Sequence, residues 1–468
     1  MSDCEVMPEI TYMDFLKGKE LLAKKSGMKN IPNLGGHLFP HQRDTTAFLL
    51  EQGKGAAFLD TGMGKTAVEL DYARCIVEHT NRPVLLLAPL AVGKQHEREA
   101  VRFGADASVV KSGDEVDCAK TYITNYERLH LFTPDQFSGI ILDESSCIKN
   151  FTGITTRKLM EFGRGIDWKL AATATPAPND HMEIGQHCQF LDVMRSNEML
   201  ARWFIADQTE MGRYRLKKHA VKDYWSWVAS WARCVGKPSD LGYSDEGFDL
   251  PELLISKHVV ETDITEGAGD RLFRIPDMGA TSIHKEKRLT SMARAEKIAA
   301  IVMAEPSESW MIWVETDYDA DSIMSLLPDA VEVRGTMNPD LKEERLNDFT
   351  LGNIRVLVSK PSIAGFGLNW QHCARTAFVG LSFSYEMFYQ AIRRFWRFGQ
   401  KRPVHCHIAM ADTETPIWQT IERKRQDHET MKSEMFDAMR RSVQVRGVKN
   451  PYMAKKQSIM PKWLGSAS

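Results

Sequence analysis

Short apolar runs recur along this chain and alternate with stretches of helical period. In the first half they fall at 56–60, 84–89, 121–124, 140–143 and 170–174, and in the second at 310–314, 331–334, 355–359, 377–381 and 404–409. Runs this short and this continuously apolar suit strands buried on both faces. Their alternation with helical segments predicts an α/β fold with a parallel sheet in each half. Between the halves, over roughly 186–285, the strand rhythm disappears. That stretch is aromatic and basic, with Trp203, Phe204, Tyr224, Trp225, Trp227 and Trp231, and reads as helical until a Gly-, Asp- and Pro-rich loop from 236 to 251. The expected organisation is an N-terminal accessory segment (1–35), a first lobe (36–185), a helical insert and linker (186–285), a second lobe (286–425) and a basic C-terminal tail (426–468).

Composition leaves that picture standing. A length of 468 residues suits two or three domains, and 43% hydrophobic with 26% charged residues is ordinary for a water-soluble protein with sizeable cores. Neither a membrane-spanning apolar run nor a secretion signal is present, so a cytoplasmic setting is expected. The eight cysteines include no C-x-x-C pair and read as reduced, buried thiols. His405-Cys406-His407 lies on an expected strand, where alternation sends the two imidazoles to the face opposite the thiol; it reads as structural. A net charge of −2 rules out a uniformly basic coat but not local patches. One lies between 195 and 237 and includes Arg213, Arg215, Lys217 and Lys218; another is the acid-free stretch from 440 to the end. Either suits phosphate contacts, although a solvated face explains the tail as well. For the tryptophans, core packing is the expectation at Trp227 and Trp231, while Trp225 is left between core and base stacking.

Two motifs carry chemistry. Thr61-Gly62-Met63-Gly64-Lys65-Thr66 follows an expected strand and opens a helix with Ala67, Leu70, Ala73 and Val77 on one face. Glycines there allow a tight turn that aims backbone N–H groups at phosphates, with Lys65 reaching the β/γ-phosphates and Thr66 holding Mg²⁺. Leu59 stands where the strict phosphate-loop pattern has its first Gly. Gly139-Ile140-Ile141-Leu142-Asp143-Glu144 is a buried strand ending in two carboxylates. Asp143 is placed to bind Mg²⁺ and Glu144 to orient and deprotonate the water that attacks the γ-phosphate of ATP.

This pair of motifs resembles the superfamily-two helicases, and more narrowly the Swi/Snf-type DNA translocases in their compact phage and bacterial form. The resemblance spans about 38–409 and implies two RecA-like lobes. It makes Gln42, in Leu38-Phe39-Pro40-His41-Gln42, the adenine reader. Pro89, in Leu87-Ala88-Pro89-Leu90, and Thr124 and Asn125, in Ile123-Thr124-Asn125-Tyr126-Glu127, become nucleic-acid contacts; His96 stands where the family usually has Trp. Thr173 and Thr175, in Thr173-Ala174-Thr175-Pro176, become the hydroxyls linking hydrolysis to lobe movement. Gly365-Phe366-Gly367-Leu368-Asn369 resembles a segment touching strand and nucleotide, through Asn369 and Gly367. The sharpest resemblance is Gln390-Ala391-Ile392-Arg393-Arg394-Phe395-Trp396-Arg397-Phe398-Gly399-Gln400-Lys401-Arg402-Pro403. There Gln390 faces the nucleotide, and Arg394 and Arg397, three apart on one helical face, become arginine fingers worth roughly 10³–10⁵ in rate.

Lys65, Thr66, Asp143 and Glu144 fall in one lobe and Arg394 and Arg397 in the other, so hydrolysis would require lobe closure. The expected activity is a DNA-stimulated ATPase translocating on duplex DNA. The runner-up is a strand-separating DNA or RNA helicase of the same superfamily, so RNA stays open as a partner. A clamp with a decayed ATPase, or a metabolic nucleotide enzyme, fits less well, because the full set from Lys65 to Arg397 is present.

Overall fold

The computed structural model describes residues 22–89, 92–148, 153–177, 180–206, 214–261, 284, 287–365 and 368–447. The first half supplies strands β1 (Lys54–Leu59), β2 (Val84–Ala88), β3 (Ala107–Val109), β4 (Thr121–Asn125), β5 (Gly139–Asp143) and β6 (Trp168–Ala172). A small antiparallel ribbon of β7 (Phe204–Ala206) and β8 (Tyr214–Leu216) comes next in the chain, then β9 (Ala232–Val235). The first sheet is parallel throughout, in the order β3-β4-β2-β5-β6-β1-β9. Strands such as β2, Val-Leu-Leu-Leu-Ala, are buried at every position because helices cover both faces.

The second sheet is also parallel. It joins β10 (Leu253–Val260), β11 (Trp310–Val314), β12 (Ala330–Val333), β13 (Val356–Ser359), β14 (Arg375–Val379) and β15 (Val404–Ala411) in the order β10-β15-β14-β11-β13-β12. Two α/β lobes with RecA-like parallel sheets are therefore present, as the apolar runs predict.

The stretch expected to be helical differs in detail. It contributes β9 to the first sheet and β10 to the second, so the chain passes from one sheet to the other between Val235 and Leu253. β9 escapes a reading by alternation because it is four residues long and carries a buried Arg233. That guanidinium sits 3.7 Å over the Phe48 ring, which makes an apolar strand position tolerate a charge. β10 is an edge strand whose Ser256, Lys257 and His258 interrupt its apolar residues.

Six helices matter for the site: α1 (Pro40–Gln52), α2 (Lys65–Thr80), α3 (Gly93–Phe103), α4 (Val221–Trp231), α5 (Tyr385–Ile392) and α6 (Thr415–Gly447). The region read as a tail is, up to Gly447, the second half of α6; residues 448–468 lie outside the described residues. α6 leaves the second lobe and seals the first, burying Met431, Met435, Ala438 and Met439 in the first lobe's core. Trp225, Trp227 and Trp231 on α4 are all buried there too, and Trp225 donates its Nε1–H to Glu434 Oε2 of α6 at 3.0 Å. Packing against α6 thus settles the open reading of Trp225 in favour of core.

Candidate active site

In the first sheet β6 lies between β5 and β1, so the loops leaving the carboxyl ends of these three strands converge. That end of a parallel sheet is where ligands of open α/β folds bind. The loop after β1 holds Gly62 and Gly64 at φ 93° and 84°, a left-handed conformation costly for any side chain. A Cβ on Gly62 would also meet the backbone N of Phe398, from the second lobe, at 2.8 Å. A Cβ on Gly64 would collide with the Gln42 side chain. Gln42 is itself bound to the loop, donating Nε2–H to the Met63 carbonyl at 3.2 Å and accepting from Phe39 N–H at 3.0 Å.

Lys65 opens α2 and projects its ammonium between the two carboxylates that end β5. Its Nζ is 3.0 Å from Asp143 Oδ1 and 2.6 Å from Glu144 Oε1. Burial alone would raise the Asp143 carboxyl, but Lys65 and His96 outweigh it and hold the group below the ordinary carboxylate range. The same two acids hold Lys65 charged against the opposing pull of burial. Glu144 has φ 54°, unusual for a non-glycine residue, and such strain clusters at working sites. Thr66 and Asp143 supply the hard oxygen donors that suit Mg²⁺.

From the second lobe, Arg394 and Arg397 line the same cavity of about 420 Å³ as Gln42, Thr61, Gly62, Gly64, Lys65, Thr66, Asp143, Glu144 and Asn369. They do so from the turns that follow α5, which ends at Ile392, and not from one helical face as their spacing suggests. Arg394 donates Nη2–H to Gln390 Oε1 at 3.0 Å and Nη1–H to the Leu368 carbonyl at 3.2 Å. Arg397 donates to the same carbonyl at 3.4 Å, and among the described residues it forms no ion pair. Burial and the neighbouring charges of Arg394 and Arg393 push its pKa down to about 9, which still leaves it a cation at neutral pH. A half-buried cation among cations, facing a cavity, is a site for an anion.

Hydrogen bonds cross between the lobes in one continuous line. Thr173 donates to Glu144 Oε2 at 3.3 Å, Thr175 N–H donates to Thr173 Oγ1 at 3.1 Å, and Gln390 Nε2–H donates to Thr175 Oγ1 at 3.3 Å. Gln390 in turn holds Arg394. Thr173, Thr175 and Gln390 are fully buried and do not line the cavity, so they connect its two walls.

Most of the other sequence-nominated residues lie elsewhere. Thr124 is buried and donates its hydroxyl to the Val110 carbonyl at 2.9 Å, and Asn125 Oδ1 accepts from Arg128 N–H at 3.1 Å, capping a short helix. Pro89 is half-buried just beyond β2. Asn369 faces the cavity with a buried Oδ1 that has no hydrogen-bond partner among the described residues. Gly367 and Arg213 lie outside the described residues. Arg215 and Lys218 are exposed, whereas Lys217 is half-buried and spends its ammonium on the Ala201 and Arg202 carbonyls.

Two groups of residues were not foreseen. Asp60, just after β1, gathers Arg393 Nη2 at 2.9 Å, Tyr389 OH at 2.7 Å and Lys432 Nζ at 3.0 Å. Glu69 and His96 lie behind Asp143, fully buried. A polar residue at a helix position otherwise facing the core is the sequence signal that marks Glu69; Asp60 gives none, because its partners lie more than 300 residues away.

Residues 293–399 match the family described as the helicase conserved C-terminal domain. A search of the curated proteins returns no match to the chain. The second lobe is thus a helicase C-terminal domain of the superfamily-two type. With two parallel-sheet lobes, the class defined is a helicase-type, ATP-dependent nucleic-acid motor. No helix among the described residues is long and apolar enough to cross a membrane.

Proposed function

We propose that this chain is a DNA-stimulated ATPase of the Swi/Snf type that translocates on duplex DNA, using ATP with Mg²⁺. The observation that carries the reading is Arg397: a half-buried cation from the second lobe, without an acid partner among the described residues, in the same cavity as Lys65, Asp143 and Glu144. An ATP γ-phosphate held there meets cationic groups from both lobes. Lys65 binds the β/γ-phosphates, Thr66 and Asp143 hold the metal, and Glu144 takes the proton from the attacking water. Gln42, Thr61, Gly62, Met63 and Gly64 shape the phosphate and base end; Gln390 acts through Arg394 and Thr175, and the resemblance adds Gly367 from the second lobe. When bound, Mg²⁺ neutralises charge on the transferring phosphoryl group.

Because Arg394 and Arg397 belong to the second lobe, the rate depends on how the lobes are set, and a ligand spanning both changes that setting. Duplex DNA is supported by the resemblance of the segments at 365–369 and 390–403 to those of duplex translocases. Exposed Arg215 and Lys218 supply sequence-independent phosphate contacts, with Asn369 and Pro89 as further contacts. The test is the ATPase rate with no nucleic acid, duplex DNA, single-stranded DNA and RNA. Strong stimulation by duplex DNA of any sequence, weakened by salt, supports the reading; stimulation by RNA alone replaces it with the strand-separating or RNA-remodelling alternative.

A further inference from the structure

His96 on α3 is 1% exposed and faces one backbone carbonyl and two acidic side chains. Its Nδ1 is 3.1 Å from the carbonyl oxygen of Val92, one turn earlier on the chain. Its Nε2 lies 3.3 Å from Asp143 Oδ2 and 3.4 Å from Glu69 Oε2. The Val92 carbonyl can only accept, so Nδ1 carries a proton, and Nε2 is turned toward the two acidic side chains. Glu69 is completely buried on α2, one turn beyond Thr66. His96 provides its one ion pair among the described residues. Burial and the Asp143 charge push the Glu69 carboxyl up to about 7, so the acid is held there at a cost that an apolar residue would avoid.

Asp143 is thereby divided. Its Oδ1 faces Lys65 and the cavity, and its Oδ2 faces His96 and the interior. Without the His96 ring, two buried acids would confront each other and nothing would back Oδ2.

We propose that Glu69 and His96 are positioning residues for Asp143: Glu69 orients the His96 ring, and the ring backs Oδ2 so that Oδ1 stays aimed at the metal. This rests on the reading of Asp143 as a Mg²⁺ ligand. Groups behind a metal ligand are known to matter, at about 10–100-fold in metal affinity or activity.

The experiment is a Mg²⁺ titration of ATP hydrolysis by the full chain, carrying His96→Ala or the isosteric Glu69→Gln. Binding of a fluorescent ATP analogue in EDTA is measured alongside. The expected result for His96→Ala is a half-saturating Mg²⁺ concentration raised about tenfold or more with reduced kcat, while metal-free nucleotide affinity is unchanged. Glu69→Gln shifts the same way by less, and the double variant is no worse than His96→Ala, because Glu69 acts through His96. Mn²⁺ partly restores the rate, which no repair of a purely structural defect would do. A His96→Ala or Glu69→Gln protein with wild-type Mg²⁺ demand, beside an Asp143→Asn protein that loses activity, overturns the inference alone. One equivalent of tightly held transition metal in the purified wild type also overturns it, since Glu69, His96 and Asp143 would then be its ligands. If wild type hydrolyses no ATP, or Asp143→Asn leaves Mg²⁺ demand unaltered, the ATPase reading falls and takes the inference with it.

Discussion

Arg393, at the end of α5 in the second lobe, reaches across to Asp60 beside the phosphate loop and pairs with it at 2.9 Å. Its other Nη2 contact is the Thr61 carbonyl, also at 2.9 Å, so the second lobe grips the loop's backbone as well as its acid. Lys432 of α6 takes the other oxygen of Asp60. Three segments distant in sequence therefore meet at one carboxylate, directly under the loop assigned to the phosphates.

Asp60→Asn should destabilise the closed arrangement. It leaves the buried charge of Arg393 and the half-buried charge of Lys432 without their counter-ion, a loss of about 3 kcal/mol for a broken buried pair. The effect has a defined pH dependence. Burial would raise the Asp60 carboxyl, but Arg393, Lys432 and Tyr389 outweigh it and hold the group well below its ordinary value of 3.8. A depressed acid contributes stability above its unfolded value and loses it as pH falls. The difference in thermal unfolding midpoint between wild type and Asp60→Asn should be constant above about pH 5 and shrink below about pH 4. A difference that grows on acidification would contradict the pairing.

For the chemistry, Glu144→Gln should leave nucleotide binding near wild type and abolish steady-state hydrolysis, because only the water-activating carboxylate is lost. Lys65→Ala should instead weaken nucleotide binding itself. Equilibrium binding and phosphate release, measured on the same preparations, separate the two. Near-normal turnover by Glu144→Gln would remove that residue from its assigned role.

Arg397→Ala should lower kcat by roughly 10³-fold, with ATP still bound by the first lobe. Arg394→Ala should fall in the same direction and also release Gln390, so its effect includes loss of the bond from Gln390 to Thr175. Single-turnover hydrolysis with saturating nucleotide reads both. Point variants test this better than a fragment ending near Gln186, which would lack β9 and α6 and expose the edge of β1.

Much of this was legible in the sequence, for physical reasons that differ by element. Strands β2 and β5 announce themselves because a strand buried on both faces needs an unbroken apolar run. Lys65 and Asp143 are marked by the residues that close such runs: glycines that turn the chain, and acids where a core strand should simply end. The second-lobe arginines are visible through their spacing to Gln390 and Gly399. What sequence could not give were pairings made by distance in space. β9 was hidden by its buried Arg233, and the sealing role of α6 by a polar composition that leaves its buried methionines inconspicuous. Thr124 and Asn125 lie in the segment the resemblance points to, yet their side chains are bonded within the first lobe. His96, read only as a departure from a family Trp, is one of the most enclosed side chains behind the site.

Neutralising Arg215 and Lys218 together should weaken duplex DNA binding and flatten its salt dependence, leaving ATP binding intact. Phosphate contacts contribute to affinity in proportion to the counterions they release, so each lost contact lowers the slope of log affinity against log salt by about 0.9. Fluorescence anisotropy at several salt concentrations reads the slope. An unchanged slope would place the DNA elsewhere.

Movement on duplex DNA is tested most directly by triplex displacement. A third strand is laid on a duplex that offers the protein a free flank, and its release is followed with ATP, without ATP, and with the Glu144→Gln protein. A motor that tracks the duplex pushes the third strand off only in the presence of ATP, leaves the Watson–Crick pairs beneath intact, and fails when Glu144 is changed. ATP-dependent opening of forked duplexes with no triplex displacement would contradict translocation and assign the chain to strand separation.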